Sequence, residues 1–164
     1  PGPVRRKAAA FLRTGPGTHI LDIGSGCGKF CLAAGYYFPD TKFTGVEQRA
    51  YLTDEANKAL QKLQLKNVSF QTANITEISF KAYQHFYFYN SFYEHLAESE
   101  KIDQEIPFSK ERFDEYSYFL YRQLHQSRKG TRLVTYHSVE TEIPDSFQVV
   151  QIDINGYLKC WIKI

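Results

Sequence analysis

The stretch His19-Ile20-Leu21-Asp22-Ile23-Gly24-Ser25-Gly26-Cys27-Gly28-Lys29-Phe30 constrains this chain more than any other. A short apolar run turns through three alternate glycines, then restarts with Phe30, Cys31, Ala33, Ala34, Tyr37 and Phe38 at helical spacing. Strand, glycine turn and helix together aim backbone N–H groups and a positive helix end at a ligand. A Cβ in such a turn keeps the backbone away from that ligand, and some of these positions are expected to need positive φ. About twenty residues on, Lys42-Phe43-Thr44-Gly45-Val46-Glu47 reads as a second strand ending in a carboxylate. An acid at that distance is placed to accept hydrogen bonds from ribose hydroxyls.

Spacing separates the cofactors that use this geometry. Dinucleotide-binding turns read Gly-x-Gly-x-x-Gly/Ala, the last small residue letting the helix pack close to the strand. Here the glycines are 24, 26 and 28, and Lys29 occupies the small-residue slot. Asp22 followed by Gly-x-Gly-x-Gly instead resembles the first motif of the class I S-adenosylmethionine (SAM)-dependent methyltransferases. That resemblance implies SAM as the cofactor. Asp22 and the amides of Gly24, Ser25, Gly26 and Gly28 would serve its amino and carboxylate groups. Glu47 would hold the ribose, with Gln48 beside it among the cofactor-binding residues.

Composition sets the frame around this motif. The 164 residues suit one domain with a sizeable core, expected to span 1–164. Hydrophobic content of 43% and charged content of 23% are those of an ordinary globular protein. A net charge of +2 gives no footing for nucleic acid, which needs a concentrated basic face. Arg5-Arg6-Lys7 reads as a solvated helix face. No apolar stretch approaches the ~20 residues of a membrane span, and no secretory signal is visible. Cys27, Cys31 and Cys160 form neither a disulfide framework nor a metal signature; the first two read as small apolar fillers beside the turn. These features point to a reducing, cytoplasmic setting. The sequence contains no methionine, so an N-terminal piece of the natural chain is expected to be missing.

In chain order, Val4, Ala8, Phe11 and Leu12 mark a helix over 3–14, stopped by Gly15-Pro16-Gly17. The first strand covers 18–23, the next helix ends by Pro39, and the second strand covers 42–46. Leu52, Ala56, Leu60 and Leu63 recur at helical spacing over 49–65, and 68–71 is a third strand. His85-Phe86-Tyr87-Phe88-Tyr89 is a continuous apolar-aromatic run, as in a central strand covered on both faces. It leads into Asn90-Ser91-Phe92-Tyr93, on the edge of the sheet where ligands of open α/β folds lie. Residues 94–109 are polar and without period, reading as a loop or lid. Lys110 to Ser127 is helical, with Phe113, Tyr116, Phe119, Leu120 and Leu124 on one face as core. A fifth strand, 132–136, precedes a short segment with little room for a helix. Two last strands, 149–154 and 157–162, flank Asn155-Gly156, a type I′ hairpin signal.

The resemblance covers nearly the whole chain. It implies a doubly wound, mostly parallel seven-stranded α/β sheet closed by an antiparallel hairpin. After the third strand, Asn74 and Ile75 would bond the adenine amino group and cover its face. Asn90 is similar to the asparagine of the Asn-Pro-Pro-Tyr motif of methyltransferases acting on amino or amide nitrogens. It would contact the cofactor and, as the catalytic residue, orient a nucleophile at the methyl. Both prolines of that motif are absent, and the pattern also looks like the seven-strand protein lysine methyltransferases. The acceptor expected is therefore a nitrogen on a protein or small molecule, with RNA third. A domain that binds SAM or a nucleoside without turnover, as a subunit or sensor, would show the same glycine turn and Glu47.

Overall fold

The structure, a computed structural model, describes residues 2–89 and 109–164. Its order is α1 (Gly2–Leu12), β1 (His19–Ile23), α2 (Lys29–Tyr37), β2 (Lys42–Glu47), α3 (Ala50–Leu63), β3 (Val68–Thr72), β4 (His85–Tyr89), α4 (Lys110–Gln126), β5 (Arg132–Tyr136), β6 (Phe147–Asp153) and β7 (Leu158–Lys163). Two single 3₁₀ turns, Ile75–Glu77 and Phe80–Ala82, link β3 to β4. The strands form one seven-stranded sheet in the order β3-β2-β1-β4-β5-β7-β6. All neighbours from β3 to β5 pair in parallel, and β7 pairs antiparallel with β5 and β6. This is the doubly wound α/β architecture expected from the sequence. Asn90 and residues 94–108 of the expected loop lie outside the described residues; Ser109 caps α4 through its side chain, accepting from the Arg112 amide at 3.1 Å.

Alternation along the central strands supplies two cores, one on each face. Leu21, Ile23, Phe86, Phe88 and Leu133 meet Tyr116, Leu120 and Leu124 of α4 on one side. Ile20, Tyr87 and Val134 meet Ala8, Ala9 and Leu12 of α1 and Phe30, Cys31 and Ala34 of α2 on the other. The aromatic stripe of α4 is therefore core, as its period implied. Phe30 lies flat on Tyr87, ring centroids 3.8 Å apart, which seats the start of α2 over the sheet.

Element ends differ from the sequence expectation by a few residues, for local reasons. The first helix stops at Leu12 because Thr14 turns inward, its hydroxyl 3.0 Å from Nε2 of the buried His85. The type I′ turn forms, with Asn155 at φ 53, Gly156 at φ 89 and the Tyr157 amide on the Ile154 carbonyl at 3.0 Å. Ile154 is also left-handed at φ 55, so both strands of the hairpin stop short of the turn. In β6 the register shifts between Val149 and Gln151, leaving Val150 as a bulge residue.

Candidate cofactor site

The carboxyl ends of β1 and β2 carry the site. Gly24, Gly26 and Gly28 all have positive φ, at 70, 53 and 77, so the three alternate glycines are a backbone requirement. Their surroundings distinguish them. A Cβ on Gly28 would sit 2.4 Å from Cζ of Phe70, so this glycine lets α2 close on β3. A Cβ on Gly26 would meet nothing within 4 Å, leaving open space above the middle of the turn. Gly45 makes room from below, since a Cβ there would press on Ser25 at 2.6 Å. The Ser25 amide donates to the Val46 carbonyl at 2.9 Å, which fastens the turn to β2. The Ser25 hydroxyl oxygen is buried and has no hydrogen-bond partner.

Glu47 closes the arrangement. One carboxylate oxygen accepts the Gly26 amide at 3.1 Å, and the other accepts the Arg49 amide at 3.0 Å. The Arg49 guanidinium lies 3.6 Å from that second oxygen, both side chains being almost wholly buried. A carboxylate offers about four lone-pair positions, so acceptor capacity remains for a ligand. Asp22, 2% exposed, sits at the end of β1 and accepts from the Cys31 thiol at 3.5 Å. Burial pushes its carboxyl from 3.8 up to about 7; the Cys31 bond opposes this and the negative charge of Glu47 adds to it.

The structure brings Asp22, Ser25, Gly26, Gly28 and Glu47 together, with Gly24 in the same turn. Gln48 faces α4, where its side-chain oxygen accepts from the Tyr116 hydroxyl at 3.4 Å. Asn74 is occupied: its oxygen accepts from the Thr76 amide at 3.0 Å and the Thr76 hydroxyl at 2.9 Å, and its nitrogen donates to Tyr116 at 3.0 Å. With Glu77 it forms a capping box on the following 3₁₀ turn. Ile75 is 7% exposed within the core beside α4.

Three contributors escaped the sequence reading. Arg49 was hidden among polar helix residues, although an arginine two positions after a strand-ending acid is the available signal. Cys31, read as filler, is the hydrogen-bond partner of Asp22. Tyr116, read as core, also carries the hydroxyl that links Asn74 and Gln48.

The residues present suit SAM. The space over Gly26, the orphaned Ser25 hydroxyl, and two carboxylates around the turn match a ligand with a cationic amino group, a carboxylate and a ribose. Among the described residues no cluster of His, Cys, Asp or Glu has the form of a metal site, and no helix is long and apolar enough to cross a membrane.

Comparison with known proteins agrees with this geometry. Residues 14–115, more than half of the chain, match the methyltransferase domain family. Over 75 residues the chain is 43% identical to the tRNA (guanine-N(7)-)-methyltransferase of Synechococcus sp. (strain JA-3-3Ab), a match covering 46% of this chain and 31% of that protein. The chain spans about a third of the length of the two curated tRNA methyltransferases it matches. An RNA methyltransferase from Salinibacter ruber in complex with S-adenosyl-L-homocysteine superimposes with a TM-score of 0.69 at 18% identity, covering 100% of this chain and 92% of that one. TrmN from Thermus thermophilus does so with a TM-score of 0.65 at 13% identity, covering 99% and 49%. At such identities these structures show the shared fold. The family match over the glycine turn and Glu47, with the sheet order around them, establishes that the chain belongs to the class I SAM-dependent methyltransferase family.

Proposed function

We propose that this chain is the catalytic domain of an RNA methyltransferase that places a methyl group on a ring nitrogen of a nucleobase. The observation that carries the acceptor is the 43% identity over 75 residues to a tRNA (guanine-N(7)-)-methyltransferase. It moves RNA ahead of the protein and small-molecule acceptors expected from the motif resemblances. A net charge of +2 excludes a uniformly basic molecule, not a local contact surface.

SAM, when bound, supplies a methyl group on a positively charged sulfur, already a good leaving group. The work left to the protein is alignment, which can supply ~7–11 kcal/mol of the barrier. Glu47 would hold the ribose hydroxyls, and its anchorage to the Gly26 amide ties that carboxylate to the turn. Asp22 would serve the amino group, with the Ser25 hydroxyl as a further polar group. Gln48, Asn74 and Ile75 would serve the adenine; for Asn74 to accept from the adenine amino group, one of its bonds to Thr76 must open. Asn90 would orient the nucleophile.

A ring nitrogen with an in-plane lone pair needs no base to remove a proton. That suits a site whose described acids, Asp22 and Glu47, are committed to the cofactor side. The test is incubation of the protein with labelled SAM and a cell extract, fractionated into RNA, protein and small molecules. Label is expected in RNA and, after nuclease digestion, in a base-methylated nucleoside. Label confined to protein or small molecules would overturn the RNA assignment.

A further inference from the structure

Four rings lie together at the carboxyl edge of the sheet, on the β4–β5–β7 side of the glycine turn. Tyr89, the last residue of β4, stacks on Tyr136, the last of β5, with centroids 5.1 Å apart and planes 24° apart. His137 follows, 4.5 Å from Tyr136, and stacks on Tyr157 at 4.2 Å and 26°. A core cluster would be covered; here Tyr89 is 50% and Tyr157 52% exposed, and His137 is exposed too.

The backbone is committed to this arrangement. His137 adopts a left-handed φ of 55, a conformation histidine takes more readily than most non-glycine residues. Its amide donates to the Tyr157 carbonyl at 3.0 Å, which locks the two rings' chain segments together. The segment after it is held by the Ser138 hydroxyl donating to buried Glu142.

We propose that Tyr89, Tyr136, His137 and Tyr157 form a stacking platform for an unpaired base flanking the methylated one. The proposal rests on the RNA reading above. Exposed rings in near-parallel pairs offer π-faces to any base, so the platform selects single-stranded RNA rather than sequence. It lies two strands and more from β2, which Glu47 ends, on the side of the sheet left for the acceptor.

The experiment uses a short unstructured RNA carrying one 2-aminopurine, whose fluorescence is quenched on stacking. Tyr157→Ala and Tyr89→Ala are each expected to weaken RNA binding about 5- to 100-fold and to reduce the quench. Tyr157→Phe should retain both. S-adenosylhomocysteine affinity and the melting temperature should stay at wild-type values, which separates loss of stacking from loss of fold. If wild type binds the RNA and both folded alanine variants bind it equally well, the platform is wrong and the RNA reading stands. If wild type neither binds nor methylates any RNA, the RNA reading fails and the platform falls with it.

Discussion

Glu47 accepts the Gly26 amide at 3.1 Å, so the carboxylate ending β2 is tied to the middle glycine of the turn that follows β1. The glycine turn and the end of β2 are thereby one unit before any ligand arrives. The same carboxylate faces the buried Arg49 guanidinium. Glu47→Ala therefore removes the acceptor of two amides and a carboxylate facing a buried guanidinium, and should destabilise the fold by about 2–4 kcal/mol. Glu47→Gln keeps the shape and one acceptor; it should weaken SAM binding at least tenfold with a smaller loss of stability. Calorimetry and urea melts on both variants check this.

The raised pKa of Asp22 makes cofactor binding depend on pH. Its carboxyl titrates at about 7 in the free protein, and a cationic amino group beside it favours the ionised form. Below pH 7 the proton competes with that cation, so SAM affinity should fall by up to tenfold per pH unit. Asp22→Asn should flatten the dependence and bind weakly throughout. Titrations across pH 5.5 to 8.5 in buffers of different ionisation enthalpy would detect the proton released on binding.

Stability carries two opposed terms with the same origin in burial. Asp22 binds its proton more tightly folded than unfolded, so its favourable contribution is complete below pH 4 and is lost as pH rises through about 7. His85 is the reverse: buried between the Thr14 hydroxyl and the Arg132 amide, its pKa falls from 6.5 to about 4. Its neutral form is favoured in the fold, so stability is lost as pH drops from 6.5 toward 4. In wild type the two slopes largely cancel between pH 4 and 6.5. In Asp22→Asn the histidine term stands alone, and stability should fall by about 1 kcal/mol per pH unit below 6.5. The same variant should be more stable than wild type above pH 7, on the order of 2–4 kcal/mol at most, since a buried carboxylate has been removed. Urea melts at stepped pH values read both effects.

Gly26 and Gly28 should respond differently to the same change. Gly28→Ala drives a methyl group into Phe70 at 2.4 Å in a left-handed backbone, so a loss of about 3 kcal/mol or more is expected. Gly26→Ala has room for its Cβ and bears only the backbone term, about 1–2 kcal/mol. Its Cβ occupies the open space over the turn, so SAM binding should fall at least tenfold in a folded protein. Melting curves with and without S-adenosylhomocysteine distinguish the two.

The parts of the fold with strong periodicity were legible. The aromatic run 85–89 became β4 with its boundaries intact, and Asn155-Gly156 formed its type I′ turn because φ > 0 at both central positions leaves few other choices. Spacing also marked Gly24, Gly26 and Gly28, where the positive φ of the turn dictates the residue type. The partners were harder to read. Nothing local marks Cys31 as the donor to Asp22, because the contact depends on how α2 turns its face toward β1. Asn74 also caps the turn that follows it; the capping box with Glu77, three positions along in Asn-Ile-Thr-Glu, was visible and went unread. Composition does not bear on the acceptor, since net charge averages over the whole surface.

Calorimetric titration of the purified chain with SAM, S-adenosylhomocysteine and NAD tests the account most directly. Both adenosyl ligands should bind, in line with the Gly24-x-Gly26-x-Gly28 spacing and the Gly26–Glu47 link, and NAD should give no heat of binding. Tight binding of NAD with no response to SAM would contradict it.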